Sequence, residues 1–242
     1  MSDHFVGKSA VVTGGSRGIG FAIASAFLAR GTSVLITGTD EATLTAAAER
    51  LRGVAQHGAR VETVRADVRD ERQVTSALSR AVDAFGGLDV LVNNAGVGLG
   101  SRVEEMTTDE WQRILETNVT GVFFGCRGAI PLLRRRGGGW IINISSLASK
   151  NPFPGGAVYS ASKAALNAFS EALMQEVRYD GIRVSAVLPG SVQTEFGGHA
   201  EDGADWKLSP DDVAEVVVDL VAHPRRSLPS RVEIRPAQPR KG

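Results

Sequence analysis

The chain has one cysteine, four histidines, no excess of either charge and no long apolar run. Each shortage removes a class of function. The lone Cys126 cannot close an internal disulfide, the pattern expected of a reducing, cytoplasmic compartment. It lies in Val122-Phe123-Phe124-Gly125-Cys126 and reads as a small core residue rather than a nucleophile. The histidines fall at no metal-ligand spacing, so no metal site is expected. Lys plus Arg and Asp plus Glu stand at 27 each, which leaves neither a nucleic-acid nor a membrane footprint. No apolar run approaches the ~20 residues that cross a bilayer. Met1-Ser2-Asp3-His4 lacks the basic and apolar regions of a signal peptide. What is present is 242 residues, 43% hydrophobic and 22% charged, with no internal linker or repeat. That composition suits a single α/β domain over residues 1–242.

Strand and helix patterns alternate throughout. Ala10 to Thr13, Val34 to Ile36, Val61 to Arg65, Val90 to Val92, Trp140 to Ile144, Arg183 to Leu188 and Ser230 to Ile234 read as strands. Asp40 and Asp70 can cap the helices that follow them. Thr107-Thr108-Asp109-Glu110 has capping-box spacing and predicts one long helix toward Leu133. Ser209-Pro210 starts the last helix, and Val158 to Arg178 forms another. This alternation implies a mostly parallel sheet covered on both faces.

Two local patterns carry chemistry. Tyr159-Ser160-Ala161-Ser162-Lys163 puts a phenol and an ammonium one helical turn apart, on the same face. A nearby cation favours the phenolate, making a proton donor and acceptor usable near neutral pH. Thr13-Gly14-Gly15-Ser16-Arg17-Gly18-Ile19-Gly20 joins the first strand to a helix. Its glycines permit a tight turn and close approach to a diphosphate, and the helix N-terminus offers free N–H groups. Ser145 and Ser146 both stand near the end of a strand, and the residues alone do not separate them.

These motifs resemble the short-chain dehydrogenase/reductase family, from about Lys8 to Ile234. The matching elements are Thr13 to Gly20, Asp67-Val68, Asn93-Asn94-Ala95-Gly96, Ser146 with Tyr159 and Lys163, and Pro189-Gly190 followed by Thr194. The resemblance implies a doubly wound, Rossmann-type sheet of seven parallel strands in the order 3-2-1-4-5-6-7, with a nicotinamide dinucleotide along the carboxyl ends. It assigns catalysis to Asn118, Ser146, Tyr159 and Lys163. Tyr159 would protonate a substrate carbonyl oxygen, and Ser146, 13 residues earlier, would orient it. Lys163 would lower the Tyr159 pKa and bond the nicotinamide ribose. Asn118 would kink its helix and hold a water leading from Lys163 to solvent. For the cofactor it assigns Gly14, Ser16, Arg17, Gly18, Ile19 and Gly20 to the diphosphate turn. Asn94, Ala95 and Gly96 would line the adenosine ribose, with Asn93 structural. Asp67 and Val68 would meet the adenine. Pro189, Gly190, Val192 and Thr194, with Tyr159 and Lys163, would hold the nicotinamide end.

The cofactor expected is NADP(H). NAD-preferring members carry an acid at the end of the second strand, where this chain has Gly38. Thr39 can donate to a 2′-phosphate, and Arg17 suits one in shape and charge. Asp40 lies one residue beyond Thr39. The segment Glu195 to Leu208 stands where the family has a substrate lid. Its Phe196 and Trp206, with Phe153, Pro154 and Val97, suggest a small apolar pocket. So short a lid argues against a deep site for a steroid.

The leading expectation is an NADPH-dependent ketone reductase similar to 3-oxoacyl-carrier-protein reductases. An alcohol or sugar dehydrogenase working oxidatively is the second. A dinucleotide-sensing protein without catalysis is opposed by the presence of all four catalytic residues. The ending Val232-Glu233-Ile234-Arg235-Pro236 departs from the apolar terminal strand of the fatty-acid reductases. A homodimer or homotetramer is expected through the helices that begin near Thr107 and Val158. Gly121, Gly125 and Gly128 of the first, and the Ala and Ser residues of the second, would permit close approach.

Overall fold

Short buried runs become strands here because their side chains alternate between two apolar layers. In β1 (Ser9–Val12), Ala10 and Val12 face one layer and Val11 the other. β2 (Ser33–Gly38) sends Val34 and Ile36 one way and Leu35 the other. β4 (Val90–Asn93) divides Val90 and Val92 from Leu91, and β5 (Gly139–Ile144) divides Ile142 from Ile141. The computed structural model describes residues 4–98, 100–194 and 205–239. β3 (Val61–Arg65), β6 (Ile182–Pro189) and β7 (Arg231–Ile234) complete a parallel sheet in the order β3-β2-β1-β4-β5-β6-β7.

Helices cover both faces. α1 (Gly18–Leu28), α2 (Glu41–Arg52) and α7 (Pro210–Ala222) bury Phe27, Leu51 and Val217 in one layer. α3 (Glu71–Phe85), α5 (Gly121–Arg135) and α6 (Ala157–Val177) bury Leu78, Leu133 and Leu173 in the other. The expected caps form. Asp40 accepts the Thr43 N–H at 2.8 Å and Asp70 the Arg72 N–H at 2.9 Å. Thr107 with Glu110, and Ser209 with Asp212, close reciprocal capping boxes. Among the described residues no helix is long and apolar enough to cross a membrane.

The helix predicted from Thr107 is not continuous. α4 (Thr108–Leu115) runs into a π turn at Glu116–Thr120, and only then does α5 begin. The cause is Asn118, at the centre of the turn. Its side chain accepts the Val97 N–H at 2.9 Å and donates to the Val97 carbonyl at 2.9 Å. Holding a distant loop from inside a helix favours the extra residue of a π turn.

The chain leaves β1 toward β2 and β3, then crosses back to β4 and proceeds to β7. The loops after β1 and β4 therefore diverge, opening a crevice at the carboxyl edge, the usual ligand position in such sheets.

Candidate active site

Lys163 is the least ordinary side chain in the crevice. It is an ammonium on α6 at 4% exposure, and among the described residues its one hydrogen bond is to the Ile144 carbonyl at 2.8 Å. Burial pulls its pKa from 10.5 down to about 8. Tyr159 stands one turn earlier, with Lys163 Nζ 5.8 Å from its ring centre. Burial pushes the phenol up, while a hydrogen bond with the Ser146 side chain pulls it down. The expected lowering of Tyr159 by Lys163 does not appear: the phenol stays above its ordinary value because desolvation outweighs the Ser146 hydrogen bond.

The structure separates the two serines. Ser145 is buried and donates to the Lys163 carbonyl at 3.2 Å, a contact that holds β5 to α6. Ser146 caps a short 3-10 turn, its Oγ accepting the Ala148 N–H at 3.1 Å, and faces Tyr159. Behind the pair, Asn118 donates to Ser162 Oγ at 3.0 Å, and Ser162 donates to the Tyr159 carbonyl at 2.7 Å. Gly96 lies between: a Cβ there would sit 3.3 Å from Asn118 Oδ1 and 3.5 Å from Lys163 Nζ.

The glycine turn lies across the crevice. Gly14 and Gly18 have φ of 63° and 55°, left-handed backbone that favours glycine. Gly20 has no room for a side chain, since a Cβ would lie 2.4 Å from both the Gly14 carbonyl and Asn94 Nδ2. Asn94 donates to the Thr13 and Gly14 carbonyls at 2.9 and 3.0 Å. Thr13 Oγ1 accepts the N–H groups of Asn94 and Ala95, both at 3.0 Å. The turn is thus stapled to the segment after β4. Thr194 reaches it from the far end of the chain, its Cγ2 3.4 Å from where a Gly18 Cβ would be. A glycine cradle at a helix N-terminus, with a proton-transfer pair opposite, fits a dinucleotide.

Residues 8–205 match the family model for short chain dehydrogenases. The chain belongs to the short-chain dehydrogenase family. It is 35% identical to a 3-oxoacyl-[acyl-carrier-protein] reductase of Chlamydia pneumoniae over 92% of both chains. It is 40% identical to 3beta-hydroxysteroid dehydrogenase 1 of Eggerthella lenta, over 85% of this chain and 77% of that one. An alcohol dehydrogenase from the archaeon Thermococcus sibiricus, complexed with 5-hydroxy-NADP, superposes with a TM-score of 0.88 at 30% identity, over 97% and 99% of the two chains. The protein is a dehydrogenase/reductase whose fold serves a nicotinamide dinucleotide.

Other residues read from the family pattern fall around the same edge. Asn93 is structural, buried and donating to Asn143 Oδ1 at 2.8 Å. Asp67 follows β3, but its carboxylate is already held by Arg69 through Nε at 3.0 Å and a terminal nitrogen at 2.6 Å. That pairing keeps its pKa below the usual carboxylate value. Val68 is buried against Gly121. Ser16, Arg17 and Ile19 lie on the glycine turn, with Arg17 and Thr39 exposed. Pro189 ends β6, and the Gly190 N–H bonds the Ile234 carbonyl at 2.8 Å. Val192 pairs with Leu208 in an isolated parallel bridge.

Two expectations are corrected. Trp206 does not join Phe153, Pro154 and Val97. It lines an open groove of about 900 Å³ with Leu208, Ile234 and Pro236, because the Val192–Leu208 bridge sets it beside β7. The Phe153 ring folds back on Gly156, and Phe196 lies outside the described residues. Nor are the α5 glycines an outward face. A Cβ at Gly121, Gly125 or Gly128 would strike Val68, Asn93 or Leu78 of the same chain, at 2.9, 2.5 and 2.6 Å. They let α5 approach the loop after β3, strand β4 and helix α3 of its own chain.

Sequence reading missed the role of Thr13 as a double acceptor, and the tether formed by Asn167 and Ser149. Asn167 donates to Ser149 Oγ at 2.7 Å, and Ser149 donates to the Ser146 carbonyl at 2.5 Å. A threonine immediately before the first glycine was the available signal for Thr13. Nothing local marks Asn167.

Proposed function

We propose that this protein is an NADPH-dependent reductase of a ketone, a 3-oxoacyl thioester or a related carbonyl, producing a secondary alcohol. The observation that carries the reading is the grouping of Tyr159, Ser146 and a buried Lys163 beside the glycine cradle. When bound, the dinucleotide supplies a hydride to the carbonyl carbon. Tyr159 gives its phenolic proton to the carbonyl oxygen, which becomes the alcohol. Ser146 orients that oxygen by a hydrogen bond. Lys163, kept cationic, stabilises the phenolate left behind and bonds the nicotinamide ribose. Asn118 supports a water path that returns a proton to the site. Gly14, Gly18 and Gly20 bring backbone N–H groups to the diphosphate. Asn94, Ala95 and Gly96 line the adenosine ribose, Asp67 and Val68 meet the adenine, and Pro189, Gly190, Val192 and Thr194 hold the nicotinamide end.

NADPH rather than NADH is favoured by Gly38. A carboxylate there would repel a 2′-phosphate, whereas the nearest polar atom to a Gly38 Cβ would be Ser16 Oγ at 3.6 Å. Arg17 and Thr39 complete the set of donors. One charge-assisted hydrogen bond contributes ~1.5–3 kcal/mol, so Arg17 alone gives an NADPH preference on the order of ten- to a hundredfold. A second reading, oxidation of a secondary alcohol, is supported by the similarity to the Eggerthella hydroxysteroid dehydrogenase.

The test is a screen of NADPH and NADH consumption against an acetoacetyl thioester, simple ketones, aldehydes, quinones and sugars, with the reverse reaction run on steroid and simple alcohols. Turnover of a ketone with NADPH is expected. Turnover only of alcohols would establish the second reading instead. The protein also forms a homo-oligomer in this proposal. The support is outward apolar surface on neighbouring helices: Trp111 of α4 at 44% exposure, Phe123 of α5 at 40%, and the exposed Ala161, Ala165 and Ala168 of α6. A monomer mass by light scattering at micromolar concentration would refute it.

A further inference from the structure

Most partnered arginines of this chain meet a carboxylate. Arg30 grips Glu215 at 2.9 Å, Arg80 meets Glu62 at 2.8 Å, and Arg134 meets Asp180 at 2.7 Å. Arg65 does not. It is the last residue of β3 and stands in register with Gly38 of β2. Its Nε donates to the Thr39 carbonyl at 3.0 Å, which draws the guanidinium over the corner between β2 and α2. Among the described residues its two terminal nitrogens bond nothing. Its charge is felt by Asp40, but that carboxylate is turned to cap α2 through the Thr43 N–H at 2.8 Å.

The corner is the one that Gly38 leaves open. Ser16 Oγ approaches it from the glycine turn, Thr39 forms its lip, and Arg17 stands at the head of α1. An arginine anchored by Nε keeps two N–H₂ groups in a fixed plane, the geometry that suits a phosphate monoester. Its charge also offsets Asp40, which would otherwise repel a dianion here.

We propose that Arg65 is a specificity-determining residue for the cofactor, its terminal nitrogens binding the 2′-phosphate of NADPH as a second cation alongside Arg17. This rests on the NADPH reading above. Arg17 comes to the phosphate from the β1 loop and Arg65 from the end of β3. The phosphate is therefore held by two strands that flank β2. An exposed arginine 26 residues from Thr39 gives no local sign of this in the sequence.

The test is calorimetric binding of adenosine 2′,5′-bisphosphate and of 5′-AMP, which differ in the 2′-phosphate alone. The parent, Arg65→Ala, Arg65→Gln and Arg17→Ala are compared at two salt concentrations, with melting temperatures to verify folding. Removing one charge-assisted contact should weaken the bisphosphate by about tenfold or more in either Arg65 variant, leave 5′-AMP within about twofold, and flatten the salt dependence. Arg65→Gln keeps the length of the side chain and serves if Arg65→Ala folds poorly. Equal loss for both ligands would overturn the proposal, placing Arg65 on the adenine. Unchanged bisphosphate affinity, with Arg17→Ala still weakening it, would overturn the Arg65 proposal and leave the NADPH reading standing. A parent that binds both ligands equally would overturn both.

Discussion

The two edges of the sheet each bury a charge, and they treat it in opposite ways. At the amino edge Asp89 precedes β4 at 8% exposure. Its carboxylate accepts from the Ser9 N–H at 3.0 Å, Ser9 Oγ at 3.2 Å, Lys8 at 3.2 Å and Arg136 at 3.0 Å. Burial pushes its pKa up, but Arg136, Ser9 and Lys8 together hold it below the usual carboxylate value. At the carboxyl edge Lys163 is buried further and, among the described residues, has a single carbonyl partner. Among the described residues no carboxylate offsets its burial, and its pKa falls to about 8. A buried charge with a full set of partners joins β1, β4 and α5. A buried charge with one partner is poorly stabilised and remains available for chemistry.

The sharpest break between the edges is expected at Tyr159. Tyr159→Phe removes the proton donor and keeps the ring, so turnover should fall ~10²–10⁴-fold. Cofactor affinity measured by fluorescence titration, and melting temperature, should hardly change. Substantial activity in that variant would end the proposed mechanism.

Lys163 gives the next largest effect, read as a pH profile. For carbonyl reduction kcat/KM should be level at neutral pH and fall as pH rises through about 8, as the ammonium is lost. Lys163→Arg should remove that limb, because a guanidinium keeps its charge. A limb lying only above pH 10 would assign control to the phenol instead. Stability has a definite sign too. The folded pKa lies below the unfolded value of 10.5, so the unfolded chain binds the proton more readily. Below pH 8 the burial cost is fully present, and stability rises as pH climbs from about 8 toward 10.5. Lys163→Met should therefore abolish turnover and keep or raise the melting temperature at pH 7. A clear drop would break the contrast with Asp89.

Asp89→Asn should do the reverse. It leaves Arg136 and Lys8 without their carboxylate and costs about 2–3 kcal/mol of stability, while activity per folded molecule stays the same. The Asp89 carboxylate has a lowered pKa, so its contribution is present above the unfolded pKa and disappears as pH falls through the folded one. Denaturant titration of the parent and Asp89→Asn at pH 7 would show the difference. An equal loss from Lys163→Met would contradict the two-edge distinction.

What the sequence disclosed follows from how local each signal is. Alternating strands, and the caps at Asp40, Asp70, Thr107 and Ser209, are written within a few residues, and the sheet order and the face shared by Tyr159 and Lys163 agreed with them. The resemblance marked Asn118 as the point where its helix breaks, but the π form of the break was hidden because the partner that Asn118 holds, Val97, lies 21 residues away. The α5 glycines were assigned to the wrong face because small residues suit any close approach, and only the position of α5 over Asn93 shows which. The fall of the Lys163 pKa was hidden as well. Its cause is burial beneath Ile144, which spacing along a helix does not reveal.

The smallest predicted effect tests how the carboxyl edge keeps its geometry. Asn167 lies one turn beyond Lys163 on α6 and donates to Ser149 Oγ at 2.7 Å. Ser149 in turn donates to the Ser146 carbonyl at 2.5 Å, so the turn carrying Ser146 is tied to the helix carrying Tyr159. Without the tether Ser146 loses one of the contacts that hold it toward the phenol. A single neutral hydrogen bond has a net value of ~0.5–1.5 kcal/mol, which corresponds to a roughly two- to tenfold fall in kcat. Asn167→Ala should show that fall with cofactor affinity unchanged. Ser149→Ala should match it, because both break the same chain. The double variant should then be no slower than either single one, since the second cut removes nothing further. Additive losses would mean that the two residues act separately, and unchanged kcat in both would show that Ser146 is held by its own 3-10 turn alone.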